Sequence, residues 1–245
     1  MIDITFDFRT DTPGRLDPDK YSPLLRKYHK LLWSKPLPGG KMFDLSDALD
    51  LDEAYLYHKS ELGEFRLSSD TITHPYFRLD YKTPIYTWKV WPHKEILSQL
   101  PENTVEEFWA SAYNIGGFII FPGRRIDNLP TMNQERGCNA LICDRFDLTL
   151  ECIRLFYEGK PSPLHDTLQR YKSFFDLFED FKGYVAFFLL QDMVGEDCEI
   201  KFFLEFDDFR RSPLPQSAAE YLSYRDKMAA LIQARGRRMK KATDK

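Results

Sequence analysis

A chain of 245 residues with 43% hydrophobic side chains has enough apolar material for a sizeable core, which excludes an intrinsically disordered chain. Its 34 basic and 38 acidic residues give a formal net charge of -4, which excludes a polycation that wraps nucleic acid over its whole surface; any basic function must be local. The 20 Phe and 13 Tyr favour strands and packed helix faces over linkers.

In chain order, Ile2, Ile4, Phe6 and Phe8 alternate with Asp3, Thr5 and Asp7, which predicts a half-buried strand. A turn-rich segment follows. Ser22 and Pro23 then supply an N-cap and a first-turn proline for a helix reaching about Trp33 and stopped before Pro36. Between Lys41 and Trp91, short alternating stretches around Tyr55, Phe65, Phe77 and Trp88 predict an antiparallel meander. Thr104 to Glu107 has the form of a capping box, opening a helix to about Tyr113.

The run Phe118 to Phe121, closed by Pro122 and Gly123, predicts a central strand buried on both faces. A polar loop leads to a helix with Leu141, Ile142, Phe146, Leu150, Ile153 and Tyr157 on its apolar side, ending at Gly159. Ser162 and Pro163 open another helix reaching Phe178. The stretch from Gly183 to Val194 fits a helix or a buried strand, with the helix preferred. Ile200 to Phe206 predicts a strand, and Ser217 to Glu220 a second capping box before a long C-terminal helix. The expected fold is α+β, a mostly antiparallel sheet from the N-terminal half packed by helices from the C-terminal half, in a single domain over 1–245 with a basic tail at 234–245.

The N-terminal MIDITFDF lacks the charged and apolar regions of a signal peptide. Cys138, Cys143, Cys152 and Cys198 show no zinc-ligand spacing, and reduced thiols are expected. The longest nearly uncharged apolar run, Tyr184 to Leu190, is far shorter than a membrane span. A cytoplasmic protein without a membrane partner is therefore expected. The sequence specifies neither cofactor nor oligomeric state.

Chemistry is concentrated in three places. Arg124, Arg125, Asn133, Gln134 and Arg136 crowd the loop after the FIIF strand, and guanidinium and amide groups are the ones that read phosphates, carboxylates and base edges. They are the candidate substrate-binding residues, with a nucleotide or nucleic acid as partner. Asp144, Asp147, Glu151 and Arg154 follow at helical spacing, so Asp147 and Glu151 are candidate catalytic carboxylates if that face borders the same cavity. The plain alternative is a solvated face with internal ion pairs. At the C-terminus, Arg235, Arg237 and Arg238, with Lys240 and Lys241, form a cationic cluster suited to nucleic acid or to the helix dipole. No metal-ligand set is evident among the five scattered histidines, and no Walker loop, GxGxxG or GxSxG occurs.

The segments YSPLLRKYHKLLWSKPLPGG, GGFIIFPGRRIDN, DRFDLTLECIRLFY and GYVAFFLLQDMV resemble a family of uncharacterised bacterial proteins along nearly the full chain. That resemblance implies a bacterial cytoplasmic source and one integral domain, and supplies no catalytic residues. Tyr55 to Ser60 followed by Phe65 to Ser69 also looks like the histidine and serine strands of ADP-ribosyltransferases, which implies His58 as a nicotinamide-dinucleotide residue; Lys59 stands where that family has glycine. Three functional expectations result. The first is a nucleotide- or nucleic-acid-directed enzyme or effector. The others are an interaction module using the basic helix and a transferase around His58.

Overall fold

The computed structural model describes residues 1–14, 16–50, 53–77 and 94–244. Helices α1 (Pro18–Tyr21) and α2 (Pro23–Trp33) come first, joined at Ser22, whose hydroxyl accepts from the Leu25 N–H as the sequence predicts. The short strands β1 (Lys35–Pro36) and β2 (Met42–Phe43) pair with each other. Strands β3 (Leu45–Asp50), β4 (Glu53–Ser60), β5 (Gly63–Thr71) and β6 (Phe118–Pro122) then form one antiparallel sheet in that order. Ser60 pairs with Gly63 across the β4–β5 turn, where Gly63 takes a φ of +121° open to glycine.

Helices follow: α3 (Lys94–Leu97), α4 (Thr104–Ala112), α5 (Met132–Cys138), α6 (Phe146–Tyr157), α7 (His165–Arg170), α8 (Lys172–Phe175), α9 (Phe181–Phe187) and α10 (Ala218–Thr243). The fold is α+β with an antiparallel sheet, as expected from the sequence. The long α10 lies against α2, α4 and the 3-10 turn Ile115–Gly117. The approach is close enough that a Cβ on Gly116 would stand 2.0 Å from the Ile232 carbonyl oxygen.

Several elements differ from their sequence patterns. Residues 2–8 form no strand: Asp3 and Asp7 turn their carboxylates onto Thr5 and Arg9, while Ile2 and Phe8 are buried without a neighbouring ladder. The alternation marks which side chains face inward, while the backbone bends at residues 4 and 5 and turns at 8 and 9 instead of joining the sheet. Residues 200–206 likewise make only the isolated bridge Val194–Ile200. Helix α4 is capped by Asn103 in the left-handed region (φ +67°), which puts Thr104 inside the helix, so no capping box forms there. A box that the sequence reading passed over opens α5, where Thr131 and Gln134 exchange side-chain and backbone bonds.

Strand β6 is fully buried, yet among the described strands it lies at the end of the sheet rather than its centre. The carbonyls of Gly116 and Phe118 accept from the Arg235 guanidinium at 2.8 and 2.7 Å, which satisfies backbone groups beside that margin. The apolar stretch after Asn139 becomes helical only from Phe146, and the segment predicted as one helix to Phe178 is broken into α7, α8 and a 3-10 turn. Of residues 183–194, 183–187 complete helix α9 and 191–193 form a 3-10 turn, so the preferred helix is present only in its first part. Most of the last two predicted meander strands falls in 78–93, outside the described residues; Phe77, with φ +49°, is not in a strand.

Candidate ligand-binding cleft

Pro18 starts α1, and the Asp17 carboxylate accepts from the Asp19 N–H, so this single turn is built to stand over β5. A cleft of about 640 Å³ opens there, walled by α1, strands β4 and β5, and α5. Among the described residues, four carboxyl side chains line it: Asp17, Asp19, Asp70 and Asp144. Behind them Arg136 is fully buried, its guanidinium 2.9 Å from Asp70 Oδ2 and 2.8 Å from Asp144 Oδ1. It also donates to the carbonyls of Thr71 and Ile72, at 3.1 and 3.2 Å.

Burial and proximity set the protonation of this group. Burial, above all, pushes the Asp70 carboxyl up to about 7; Arg136 opposes the shift, and the negative Asp144 and Asp17 reinforce it. Asp19 is driven well above the carboxylate range, by burial first, then by Asp17 and by Asp70, with which it shares a hydrogen bond. With both carboxyls raised, Asp70 to about 7, protons are retained where ordinary aspartates have lost them, and a protonated carboxyl beside a second one can donate as well as accept.

The cleft is also lined by cations. Arg125, exposed, donates to Gln134 Oε1 at 3.1 Å, and the same oxygen takes the Thr131 N–H, so the α5 cap also aims an arginine. Arg66 lies over the Tyr55 ring, 4.0 Å from its centroid. Asn133 donates to the Ser69 carbonyl at 3.3 Å, while its own Oδ1 is buried without a partner. Arg66 and Arg125 also line a neighbouring hollow of about 440 Å³ that adds Arg124 and Arg170. The two arginines thus form a ridge between two depressions.

The structure therefore brings Arg125, Asn133 and Gln134 to one cleft and Arg124 to its neighbour. The remaining predicted residues lie elsewhere. Arg136 is sealed in the wall. Asp147 is completely buried in an ion pair with Arg145 at 2.6 Å and accepts from the backbone N–H groups of Leu148 and Phe203 at 3.0 Å each. Glu151, also buried, is held by Arg154 at 2.8 Å. Neither is among the described residues that line the cleft; of the acidic series beginning at Asp144 only Asp144 itself, just before α6, reaches it, and the other carboxyls come from the α1 turn and β5.

His58 is buried between Phe43 and Phe65, with ring centroids 3.9 and 6.1 Å away, and lies outside the cleft. Residues 234–243 continue as helix α10. Within them Arg235 is fully buried on the carbonyls of Gly116, Phe118 and Phe188, Arg238 pairs with Asp192 at 2.8 Å, and Arg237 is exposed. The sequence reading missed Asp17, Asp19, Asp70 and Arg66. The one local signal was the Asp-Pro-Asp turn at 17–19, which marks a helix start and equally an ordinary loop.

A family model matches residues 2–239, nearly the whole chain. The chain belongs to a family of unknown function, DUF6994. The match agrees with the full-length resemblance to an uncharacterised family in extent and in the absence of an assigned activity. No curated protein and no solved structure matches the chain. All four cysteines are free, and no described helix is long and apolar enough to cross a membrane.

Proposed function

We propose that the chain binds a phosphorylated small molecule of the nucleotide class in this cleft, and that the Asp19–Asp70 pair carries out acid–base chemistry on it. The reading rests on one observation: two carboxyls held above the ordinary carboxylate range, Asp19 and Asp70, line the same cleft of about 640 Å³ as Arg66 and Arg125, and the cleft is large enough for such a ligand. Arg125 and Arg66 are the phosphate-facing groups, since guanidinium forks match phosphate oxygens. Asn133 and Gln134 are the amides that orient the remainder, and Tyr55 and Tyr113 offer aromatic surface.

Titration calorimetry against nucleoside mono-, di- and triphosphates, with inorganic phosphate as reference, tests the proposal. Arg125→Ala is expected to weaken binding by about tenfold, the loss of one charge-assisted contact. Asp70→Asn is expected to preserve affinity and abolish turnover. Absence of binding across the panel, or equal affinity for wild type and Arg125→Ala, refutes the nucleotide reading. The basic-helix and His58 readings have weaker support, because Arg235 is internal and His58 is enclosed by aromatic rings.

A further inference from the structure

On a different part of the molecule, β2 and the β4–β5 turn border a cavity of about 710 Å³ with Leu37, Met42, Leu62 and Leu177 in its walls. Met42 and Leu62 are 48% and 59% exposed, so this apolar lining continues to the surface. Lys41, Glu61, Asp176 and Glu179 form a charged rim. His58 is the neutral polar group of this wall with an unanswered atom: it is 1% exposed, and its Nε2 is buried with no hydrogen-bond partner.

The chemistry of that nitrogen is fixed by its neighbour. His58 Nδ1 lies 3.1 Å from the Asp44 carbonyl oxygen, which can only accept, so Nδ1 carries the hydrogen. Nε2 is then a bare lone pair in the neutral ring. Stacking on Phe43 at 3.9 Å holds the imidazole plane, and burial favours the neutral form. A buried acceptor left unanswered is unfavourable by about 1–3 kcal/mol, and a ligand that answers it recovers that energy.

We propose that this cavity is a binding site for an uncharged, largely apolar small molecule bearing one hydrogen-bond donor, a hydroxyl or an N–H, which donates to His58 Nε2. Ligand sites of this size commonly combine an apolar lining with one or two placed polar groups. Because Nε2 is covered, a side chain of the wall must swing aside for the donor to reach it, and Met42, unbranched and half-exposed, can do so. The site shares neither its side chains nor its chemistry with the nucleotide cleft.

The test uses the full chain labelled with 15N and titrated separately with phenol and anisole, two probes of similar shape of which only phenol donates. Phenol is expected to bind about fivefold more tightly, corresponding to one net hydrogen bond, and to move the His58 Nε2 resonance toward its hydrogen-bonded position. His58→Phe, which keeps the aromatic stack, is expected to erase the preference. Leu177→Trp, which fills the cavity from the opposite wall, is expected to abolish binding of both probes and serves if the first variant does not fold. Equal affinities for the two probes, an unmoved Nε2 resonance, binding that survives Leu177→Trp, or no binding of phenol up to about 10 mM overturns the assignment.

Discussion

Replacing Arg136 with methionine is the most direct test of the cleft's construction. The guanidinium is fully buried and answers Asp70 and Asp144 at 2.9 and 2.8 Å together with the carbonyls of Thr71 and Ile72. Methionine fills much of the volume and answers none of them. Breaking a buried pair by removing one partner destabilises by about 3–5 kcal/mol, because the other charge is left uncompensated. The pH dependence adds a second handle. Without the cation, the Asp70 carboxyl is raised further in the folded state, and an acid with a raised folded pKa destabilises increasingly as pH climbs from its unfolded toward its folded pKa, and ceases to do so as pH falls and it protonates in both states. The loss is therefore expected to be larger at pH 8 than near pH 5. Urea unfolding of both proteins at the two pH values measures it, with the slope on urea concentration confirming an unchanged unfolding reaction. A loss below about 1 kcal/mol at pH 8, or one that grows on acidification, refutes the reasoning.

Further outcomes follow from the same contacts. In the native chain, Asp70 held up to about 7 against an ordinary 3.8 destabilises progressively as pH rises through that window, by roughly 4 kcal/mol at most. Asp70→Asn should flatten that part of the stability–pH curve, and an unaltered slope would count against it. Asp147→Ala strands the Arg145 guanidinium and should lower stability by about 3–5 kcal/mol with ligand affinity at the cleft unchanged in the folded fraction; weakened binding without destabilisation would restore Asp147 to the site. Gly116→Ala drives a methyl against the Ile232 carbonyl, a backbone atom that cannot turn aside, and should destabilise by about 3 kcal/mol or more in thermal melts. Ser217→Ala removes the hydroxyl that accepts from the Glu220 N–H and should lower stability by about 1 kcal/mol.

Local chemistry made much of the fold legible. Ser22 with Pro23, Gly159 with its φ of +69°, and Ser217 each end or begin a helix where the sequence places them, because capping is decided within a few residues. The alternations at 2–8 and 200–206 misled for a physical reason: period two reports which side chains are buried, while a strand also needs a neighbour with free backbone groups. The site was legible only on one side. Arg125, Asn133 and Gln134 share one loop and could be read as a group. Asp19 and Asp70 meet through the packing of α1 on β5, and no spacing rule links a turn to a strand end fifty-one residues away (70 minus 19). Arg136 and Asp147 show the converse, where charge on the page became interior scaffold because each found opposite charge and backbone partners inside the fold.

The reach of Arg235 has a bearing on how the molecule comes apart. A single side chain of α10 closes carbonyls from the turn before β6, from β6 itself and from the corner after α9, which lie 119, 117 and 47 residues away along the chain. Lifting α10 would hydrate all three at once and uncover the face beneath Gly116. Partial detachment is thereby penalised nearly as heavily as global opening, so amide protons in the second half of α10 should exchange with deuterium at the same slow rate as those of β6.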